Sequence, residues 1–255
     1  MQMPDGTQRR DADGQAIVFD ARWVPQVTPQ WFDAAFWQAQ ARLRARAGGR
    51  GSIGYVDSPA GPLVLRHFYR GGLLGRLRGD RYLWLGAARS RGFREFLLLH
   101  RLHALGLPVP RVLGARCVRS WPWARADLLT AELPAAHTLA QRLLAGTLDA
   151  AQWPRIGAML GRFHAAGVVH ADLNAHNIVD SGGSWYLIDF DRGRVQRRAV
   201  RAQQASLARL LRSLRKVAPD VCAAPTFTAH DWQPLLRAHA QALQANSARS
   251  QEVHP

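Results

Sequence analysis

Residues 170–177, which read H-A-D-L-N-A-H-N, constrain this chain more than any other segment. They are followed, after an apolar run that predicts a strand, by Asp189-Phe190-Asp191. In phosphoryl transfer from a nucleotide, one carboxylate accepts the proton of the acceptor hydroxyl. An amide oxygen and a second carboxylate hold the metal that bridges the phosphates. Because the two segments carry these side chains at suitable spacing, they indicate an ATP-dependent phosphotransferase.

The roles of individual residues follow from their side-chain chemistry. Asp172 is the candidate catalytic base, which would orient an alcohol and take its proton. Asn177 and Asp189 are the candidate Mg²⁺ ligands, because few protein oxygens hold Mg²⁺ when nucleotide phosphates supply the rest. His170 is expected to orient the loop rather than to react. Either segment alone could be an ordinary turn or helix cap, since Asp and Asn favour both.

A glycine-rich segment upstream fits the pattern G-x-G-x-x-G-x-V through Gly49, Gly51 and Gly54. Glycines let the backbone approach phosphates closely, so that free N–H groups can bind them. The alternative is a plain glycine-rich turn. Its position before a predicted strand pair, Ser52–Val56 and Gly61–Phe68, favours a loop that covers the nucleotide.

The second of these predicted strands contains Arg66 where kinases carry the lysine of V-A-I-K. The chain has a single lysine, Lys216, far downstream. Arginine can also bind phosphates and pair with a carboxylate. The expected partner is Glu95, the sole acid of the helix predicted over Ser90–Leu105. The alternative is that Arg66 and Glu95 are solvated surface residues.

The order of elements predicts an α+β chain with two lobes. Strands dominate residues 1–133, which predicts an antiparallel sheet with the glycine loop and one key helix. Helices dominate residues 134–255, which hold the catalytic loop and the expected metal site. Residues 1–16 are expected to be flexible, and Arg42–Gly51 is expected to be a loop.

The net charge of +16 is carried almost entirely by arginine. It favours an anionic partner, either nucleic acid, an acidic membrane surface or a phosphorylated substrate, although a genome rich in arginine codons would give the same excess. No DNA- or RNA-binding motif is present, so nucleic acid is not expected. The arginine- and leucine-rich segment 66–84 could bind lipid headgroups or substrate phosphates, or form an exposed basic loop. No apolar run is long enough to span a bilayer.

Several segments within residues 48–194 together resemble one family: V-L-R-H-F-Y-R-G-G-L-L-G-R-L, F-R-E-F, G-L-P-V-P, V-V-H-A-D-L-N-A-H-N-I and L-I-D-F-D-R-G. They are similar to those of the bacterial 3-deoxy-D-manno-octulosonic acid (Kdo) kinases of the protein-kinase-like superfamily. The resemblance implies a two-lobed protein-kinase-like fold. It also implies transfer of the ATP γ-phosphate to the 4-OH of Kdo on lipid A precursor, in lipopolysaccharide core biosynthesis.

The same resemblance implies a peripheral location at the cytoplasmic face of the inner membrane. It carries Asp172 over as the base, and Asn177 and Asp189 as metal ligands. Two departures from ordinary kinases remain, Arg66 in place of lysine and Asp191 in place of glycine. The oligomeric state is left open.

Two rival functions share part of this pattern. A small-molecule phosphotransferase of the aminoglycoside or choline kinase type also carries H-x-D-x-x-x-x-N, although the basic, leucine-rich segment argues against a freely soluble antibiotic as the substrate. A pseudokinase binding module would account for the missing lysine. The intact Asp172, Asn177 and Asp189 argue against it.

Overall fold

Alternating burial along the strands Ile53–Ser58 and Gly61–His67 reflects a sheet with one face toward a hydrophobic core. In the strand Gly61–His67, for example, Leu63 and Leu65 are buried while Pro62 and Val64 are not, the two-residue period of a strand with one face inward. The computed structural model describes residues 3–47, 53–69, 80–196, 199–217 and 227–252. Its internal contacts define two units, one of Met1–Ala104 with Pro110–Glu132 and the other of Leu105–Val109 with Leu133–Pro255.

Within its described residues, the first unit contains one antiparallel sheet of eight strands and two α-helices. The strands are β1 Thr7–Ala12, β2 Gln15–Asp20, β3 Leu43–Ala47, β4 Ile53–Ser58, β5 Gly61–His67, β6 Tyr82–Leu83, β7 Val112–Ser120 and β8 Trp123–Ala131. Helix α1 spans Ala34–Ala39 and helix α2 spans Arg91–Ala104. The spatial order is β1-β2-β7-β8-β5-β4-β3, with β6 paired to β8. A core that includes Phe19, Phe32, Trp37 and Leu129 packs against this sheet.

Two predictions for this unit were wrong. Thr7–Ala12 is a strand rather than a flexible tail, because Asp13 and Gly14 have positive φ angles of 50° and 72° and so form the tight Asp-Gly turn that joins antiparallel strands. Leu43–Ala47 is likewise a strand, paired with β4, although the arginines and glycines of Arg42–Gly51 predicted a loop. Arginine side chains are well tolerated on an edge strand.

A buried carboxylate connects the middle strands of this sheet. Asp127 of β8 is 1% exposed. It accepts hydrogen bonds from Arg116 Nε of β7 at 2.8 Å and from His67 Nδ1 of β5 at 2.6 Å. The second ring nitrogen of His67 lies 3.1 Å from Asp80. Burial opposes a charge on His67, but the hydrogen bonds and charges of Asp127 and Asp80 outweigh it and raise its pKa. The network fixes the residue that follows Arg66.

The second unit is mostly helical, with short strands around its loops. Its helices are α3 Leu139–Leu144, α4 Gln152–Ala165, α5 Val200–Val217 and α6 Ala229–Glu252. Its strands are β9 His137–Thr138, β10 Val168–Val169, β11 Ile178–Ser181, β12 Ser184–Leu187 and β13 Arg194–Val195. They form a three-stranded sheet in the order β12-β11-β9 and a β10-β13 pair. The described helices include none that is both long enough and apolar enough to cross a bilayer.

Helices α4 and α6 approach each other at two glycines one helical turn apart. A Cβ atom on Gly157 would lie 2.0 Å from the carbonyl oxygen of Leu235, and one on Gly161 would lie 2.5 Å from that of His239. The contact continues to His164, whose Nδ1 lies 2.8 Å from Nε2 of His239. Only a residue without a side chain permits this backbone approach, so the glycines determine how closely these helices pack.

The helix contact predicts that Gly157→Ala destabilises the protein although alanine favours helix. The clash involves backbone, which cannot move aside cheaply, so we expect a loss of at least about 2 kcal/mol in the free energy of unfolding. The reverse exchange next to it, Ala158→Gly, is expected to cost only about 1 kcal/mol through helix propensity. Urea denaturation measures both, and an equal or smaller loss for Gly157→Ala would contradict the packing described.

The buried histidine pair predicts a loss of stability in acid. Burial, together with the neighbouring His239, lowers the pKa of His164 from 6.5 to about 3. Below pH 6.5 the unfolded chain therefore binds a proton at His164 that the folded chain does not bind. As the pH falls, the free energy of unfolding decreases by about 1.4 kcal/mol per pH unit for this one group. Denaturation between about pH 7 and 5 should show a shallower slope for His164→Gln than for the exposed control His103→Gln. Equal slopes would contradict the assignment.

Candidate active site

The loop between β10 and β11 is held by side chains of its own sequence. The side-chain oxygen of Asn174 accepts the backbone N–H groups of His176 and Asn177, at 2.8 and 3.2 Å, which is a turn that asparagine favours. The side-chain amide of Asn177 donates to the carbonyl oxygen of Asp172 at 2.8 Å. Within the described residues, the side-chain oxygen of Asn177 accepts no hydrogen bond, and it is therefore the free end of that amide.

His170 connects this loop to the strand that precedes Asp189. Its Nε2 donates to the carbonyl oxygen of Ile188 at 2.9 Å, and its Nδ1 accepts the backbone N–H of Asp172 at 3.2 Å. Burial lowers its pKa, although the Ile188 carbonyl and nearby carboxylates oppose this. The ring is therefore neutral, with one nitrogen donating and the other accepting. The predicted pairing of His170 with its own loop is observed, and its orienting role remains a prediction.

Asp189 occupies an unusual backbone conformation at the end of the apolar strand β12. Its φ is +60°, which is uncommon outside glycine but tolerated by aspartate, and such residues cluster at functional sites. The N–H of the preceding residue, Ile188, donates to the carbonyl oxygen of Asn177 at 3.0 Å. This pairing places Asn177 opposite Ile188, which is the residue that precedes Asp189 in the sequence.

Phe190 anchors the other side of Asp189. Its ring is 1% exposed and lies edge-on to His170, with 4.8 Å between ring centroids, and stacked on Phe163 at 5.9 Å. A buried aromatic next to an exposed carboxylate fixes the backbone from which that carboxylate extends. Asp172, Asn177 and Asp189 are thus brought together in one unit by hydrogen bonds and by packing.

Helix α5 contributes three residues that the sequence reasoning missed. Ser206 Oγ donates to the carbonyl oxygen of His170 at 3.2 Å, and Arg209 donates to that of Ala171 at 2.7 Å. Ser213 Oγ accepts the backbone N–H of Ala175 at 3.1 Å. The three lie at helical spacing on one side of α5, so polar residues on the inward face of an amphipathic helix were the available signal.

In the first unit, the structure brings Arg66 and Glu95 into an ion pair. The Glu95 side chain is 3% exposed and that of Arg66 19% exposed. The helix carrying Glu95 can lie close to β8 because Gly92, one turn earlier, has no side chain; a Cβ there would be 2.7 Å from the carbonyl oxygen of Asp127. The predicted pairing of the two residues is observed, and their contact with nucleotide remains a prediction.

Of the three glycines predicted to form the phosphate loop, only Gly54 is among the described residues. Gly49 and Gly51 lie outside the described residues. Gly54 is a buried residue of β4, paired with Leu65 and Arg46, and a Cβ there would be 3.3 Å from the Leu43 side chain. Since β3 and β4 are antiparallel neighbours, the glycine-rich segment joins two strands of one hairpin. Most of the basic segment 66–84, residues 70–79, also lies outside the described residues.

The donor set in the second unit suits Mg²⁺ rather than a metal held by protein alone. Among the described residues, no group of three or more His, Cys, Asp or Glu side chains could hold a metal ion. Asn177 and Asp189 offer an amide oxygen and a carboxylate, the hard oxygen ligands that Mg²⁺ uses together with nucleotide phosphates. The residues present therefore fit a metal that binds with its nucleotide.

Comparison with known proteins decides the family. The model of the lipopolysaccharide kinase (Kdo/WaaP) family matches residues 34–239, which include Arg66, Glu95 and the whole catalytic loop. The chain belongs to this family. The family predicted from the sequence motifs is thereby confirmed, and the chain is a kinase, which uses a nucleotide as phosphoryl donor.

Relatives of this chain include two proteins named 3-deoxy-D-manno-octulosonic acid kinase. The protein from Stenotrophomonas maltophilia (strain R551-3) is 44% identical over 204 residues, covering 79% of this chain and 81% of the relative. The protein from Xanthomonas axonopodis pv. citri (strain 306) is 45% identical over 204 residues, with the same coverage. The match extends well beyond the catalytic motifs.

A solved structure supports the fold of this chain. WaaP, solved in complex with acyl carrier protein, aligns with a TM-score of 0.52 at 17% identity, covering 92% of this chain and 96% of WaaP. At this identity the likeness concerns the fold alone. The predicted α+β, protein-kinase-like fold, with an antiparallel sheet and helices, is confirmed.

Removal of the positive charge of Arg66 is expected to weaken nucleotide binding. If Arg66 also contacts phosphates, Arg66→Met should raise the KM for ATP about ten- to a hundredfold, the range of a lost hydrogen bond to a charged group. Arg66→Lys should restore part of this loss, since an ammonium keeps the charge without the planar fork. Arg94→Met, an exposed arginine of the same helix as Glu95, is the control. Steady-state kinetics with varied ATP test this, and an unchanged KM for Arg66→Met would remove Arg66 from the nucleotide site.

Proposed function

We propose that this chain transfers the γ-phosphate of ATP to the 4-OH of a Kdo residue on lipid A precursor, in lipopolysaccharide core biosynthesis. The relatives described above, at 44 and 45% identity, are named as Kdo kinases. The observation that carries the mechanism is the assembled loop: Asp172, Asn177 and Asp189 are held in one unit through His170 and the Asn177–Ile188 pairing.

Asp172 is the base in this proposal. Its side chain is exposed, whereas its backbone is fixed on both sides, by the N–H bond to His170 and by the carbonyl bond from Asn177. A fixed backbone with a free carboxylate can orient an acceptor hydroxyl. As the sugar oxygen forms its bond to the γ-phosphorus and the bond to the ADP oxygen breaks, the hydroxyl proton passes to the Asp172 carboxylate.

Asn177 and Asp189 would hold the Mg²⁺, which when bound supplies positive charge to the β- and γ-phosphate oxygens. The side-chain oxygen of Asn177 is turned away from the Asp172 carbonyl, because the amide nitrogen occupies that position. Arg66, oriented by Glu95, would bind phosphate oxygens in place of the usual lysine. An ion pair with one partner buried keeps the guanidinium in a defined position before nucleotide arrives.

We infer a peripheral location at the cytoplasmic face of the inner membrane. ATP is available on that side, and the acceptor sugar is carried by a lipid anchor. The net charge of +16 favours an anionic lipid surface. No described helix could span the membrane, so the contact would be made from the surface.

The two rival functions find no support in the relatives. A small-molecule phosphotransferase of the aminoglycoside or choline kinase type and a pseudokinase binding module were both compatible with the motifs alone. The relatives that cover four-fifths of this chain carry a sugar kinase name. The Arg66–Glu95 ion pair supports the proposal that Arg66 takes the place of the missing lysine.

The proposed reaction predicts labelled lipid when the enzyme is incubated with labelled ATP, Mg²⁺ and Kdo-bearing lipid A precursor. Asp172→Asn should lower kcat by about 10²- to 10⁴-fold, the usual contribution of a general base. Asp189→Asn should abolish transfer through loss of the metal. The exposed Asp149→Asn, which retains an oxygen that can accept the N–H of Gln152, is the control.

Two outcomes would contradict the proposal. Activity of Asp172→Asn within tenfold of wild type would remove Asp172 from its role. Label on an aminoglycoside or choline, with none on the Kdo lipid, would move the enzyme to the soluble phosphotransferases. Circular dichroism on each variant separates loss of activity from loss of fold.

A further inference from the structure

Three large apolar side chains are exposed on one part of the first unit. They are Leu83, Leu85 and Trp121, with exposed fractions of 55%, 60% and 72%. Singly exposed apolar residues are ordinary, and Leu105, Leu144 and Val200 are examples. A group of three is different. Together with Trp84 and the nearby arginines Arg81, Arg89, Arg119 and Arg125, they are called here the Trp121 surface.

Backbone and side-chain contacts make the Trp121 surface continuous. Leu83 of β6 pairs with Trp123 of β8, and the N–H of Trp84 donates to the carbonyl oxygen of Pro122 at 2.9 Å. The Arg119 guanidinium lies over both Trp84 and Trp121, 5.6 and 5.5 Å from the ring centroids. The Trp121-Pro122 turn and the Leu83–Leu85 segment therefore lie side by side at the end of the β7–β8 hairpin.

The charges around these apolar side chains are mainly positive. Arg81, Arg89 and Arg119 are exposed, and none of them forms an ion pair with a carboxylate among the described residues. Arg125 is paired, with its Nε 2.9 Å from Asp80. The surface thus combines guanidinium groups that have no carboxylate partner within the described residues with exposed Trp and Leu side chains.

Beside these side chains lies an open cavity of about 230 Å³. Leu83, Trp84 and Leu85 line one part of it, and Arg89 and Arg125 line another. Apolar walls next to guanidinium groups suit a molecule that is itself amphipathic.

We propose that the Trp121 surface docks the enzyme on an anionic lipid bilayer. Tryptophan favours the headgroup region, because its ring is apolar while its N–H can still bond. Leucines bury apolar area below the headgroups, and arginines attract anionic lipid. Side chains at the end of a hairpin can enter a headgroup layer without rearrangement of the core. This deepens the proposed function, since the acceptor is lipid-linked, and it accounts for part of the arginine excess.

Vesicle binding without any acceptor tests the surface independently of the proposed function. The full chain is mixed with phosphatidylcholine vesicles, with or without phosphatidylglycerol, and bound protein is measured by co-sedimentation. We expect binding only with phosphatidylglycerol, weakened by salt. Trp121→Ser with Leu85→Ser should lower the partition coefficient at least about tenfold. Arg81→Gln and Arg89→Gln should lower it about fivefold each.

Matched controls are exposed residues of the same types elsewhere, Leu105→Ser for the apolar pair and Arg201→Gln for the arginines. Equal losses for surface and control variants would overturn the proposal in favour of a general charge effect. Binding that is unchanged in all surface variants would overturn it as well, as would retention by an immobilised acidic protein with no retention by anionic vesicles.

Kinase activity separates failure of the surface from failure of the proposed function. On detergent-dispersed acceptor the surface variants should match wild type, since none of their residues belongs to the proposed active site. On acceptor embedded in anionic vesicles they should be slower. Vesicle binding without Kdo kinase activity would support the proposed membrane-docking surface and contradict the proposed function.

Discussion

The two hydrogen bonds of His170 are the contact on which the site in the second unit depends. One ring nitrogen donates to Ile188 and the other accepts from Asp172, so a single side chain sets the spacing between the proposed base and the proposed metal ligand. A charged imidazolium would lose the accepting nitrogen. Burial prevents that by lowering the pKa of His170. The neutral ring is thus a requirement of the geometry.

Residues from different elements contact the loop around His170 and hold its backbone in place. Phe190 packs against the ring, while Ser206 and Arg209 satisfy the loop carbonyl oxygens from outside. A buried loop needs such partners, because unpaired backbone polar groups are costly. The side chains proposed for chemistry, Asp172 and Asp189, are left exposed. The loop is consequently rigid in its backbone and open at its reactive ends.

The sequence was informative where side-chain chemistry and spacing both constrain the answer. H-A-D-L-N-A-H-N indicated the loop. The pairing of Arg66 with Glu95 could be expected because Arg66 stands where kinases carry the lysine and Glu95 is the sole acid of the predicted helix. It was not informative where the signal is weak by nature. A strand of polar and charged residues such as Thr7–Ala12 has no apolar alternation. The Asp13-Gly14 turn that follows it is the feature that indicates a hairpin. The spacing of Ser206 and Ser213 places them on the inward face of an amphipathic helix, but their partners in the loop depend on tertiary packing, which that spacing does not specify.

Measurement of the His170 tautomer tests whether its two ring nitrogens hold the loop as described. Nitrogen NMR of the ¹⁵N-histidine-labelled protein, with His170→Gln used to assign the signal, distinguishes a protonated Nε2 from a protonated Nδ1. We expect a neutral ring with its proton on Nε2, unchanged as the pH is lowered through the ordinary histidine range of about 6.5. A ring that carries its proton on Nδ1, or that titrates as an exposed histidine does, would contradict it, because Ile188 and Asp172 would then have no common partner.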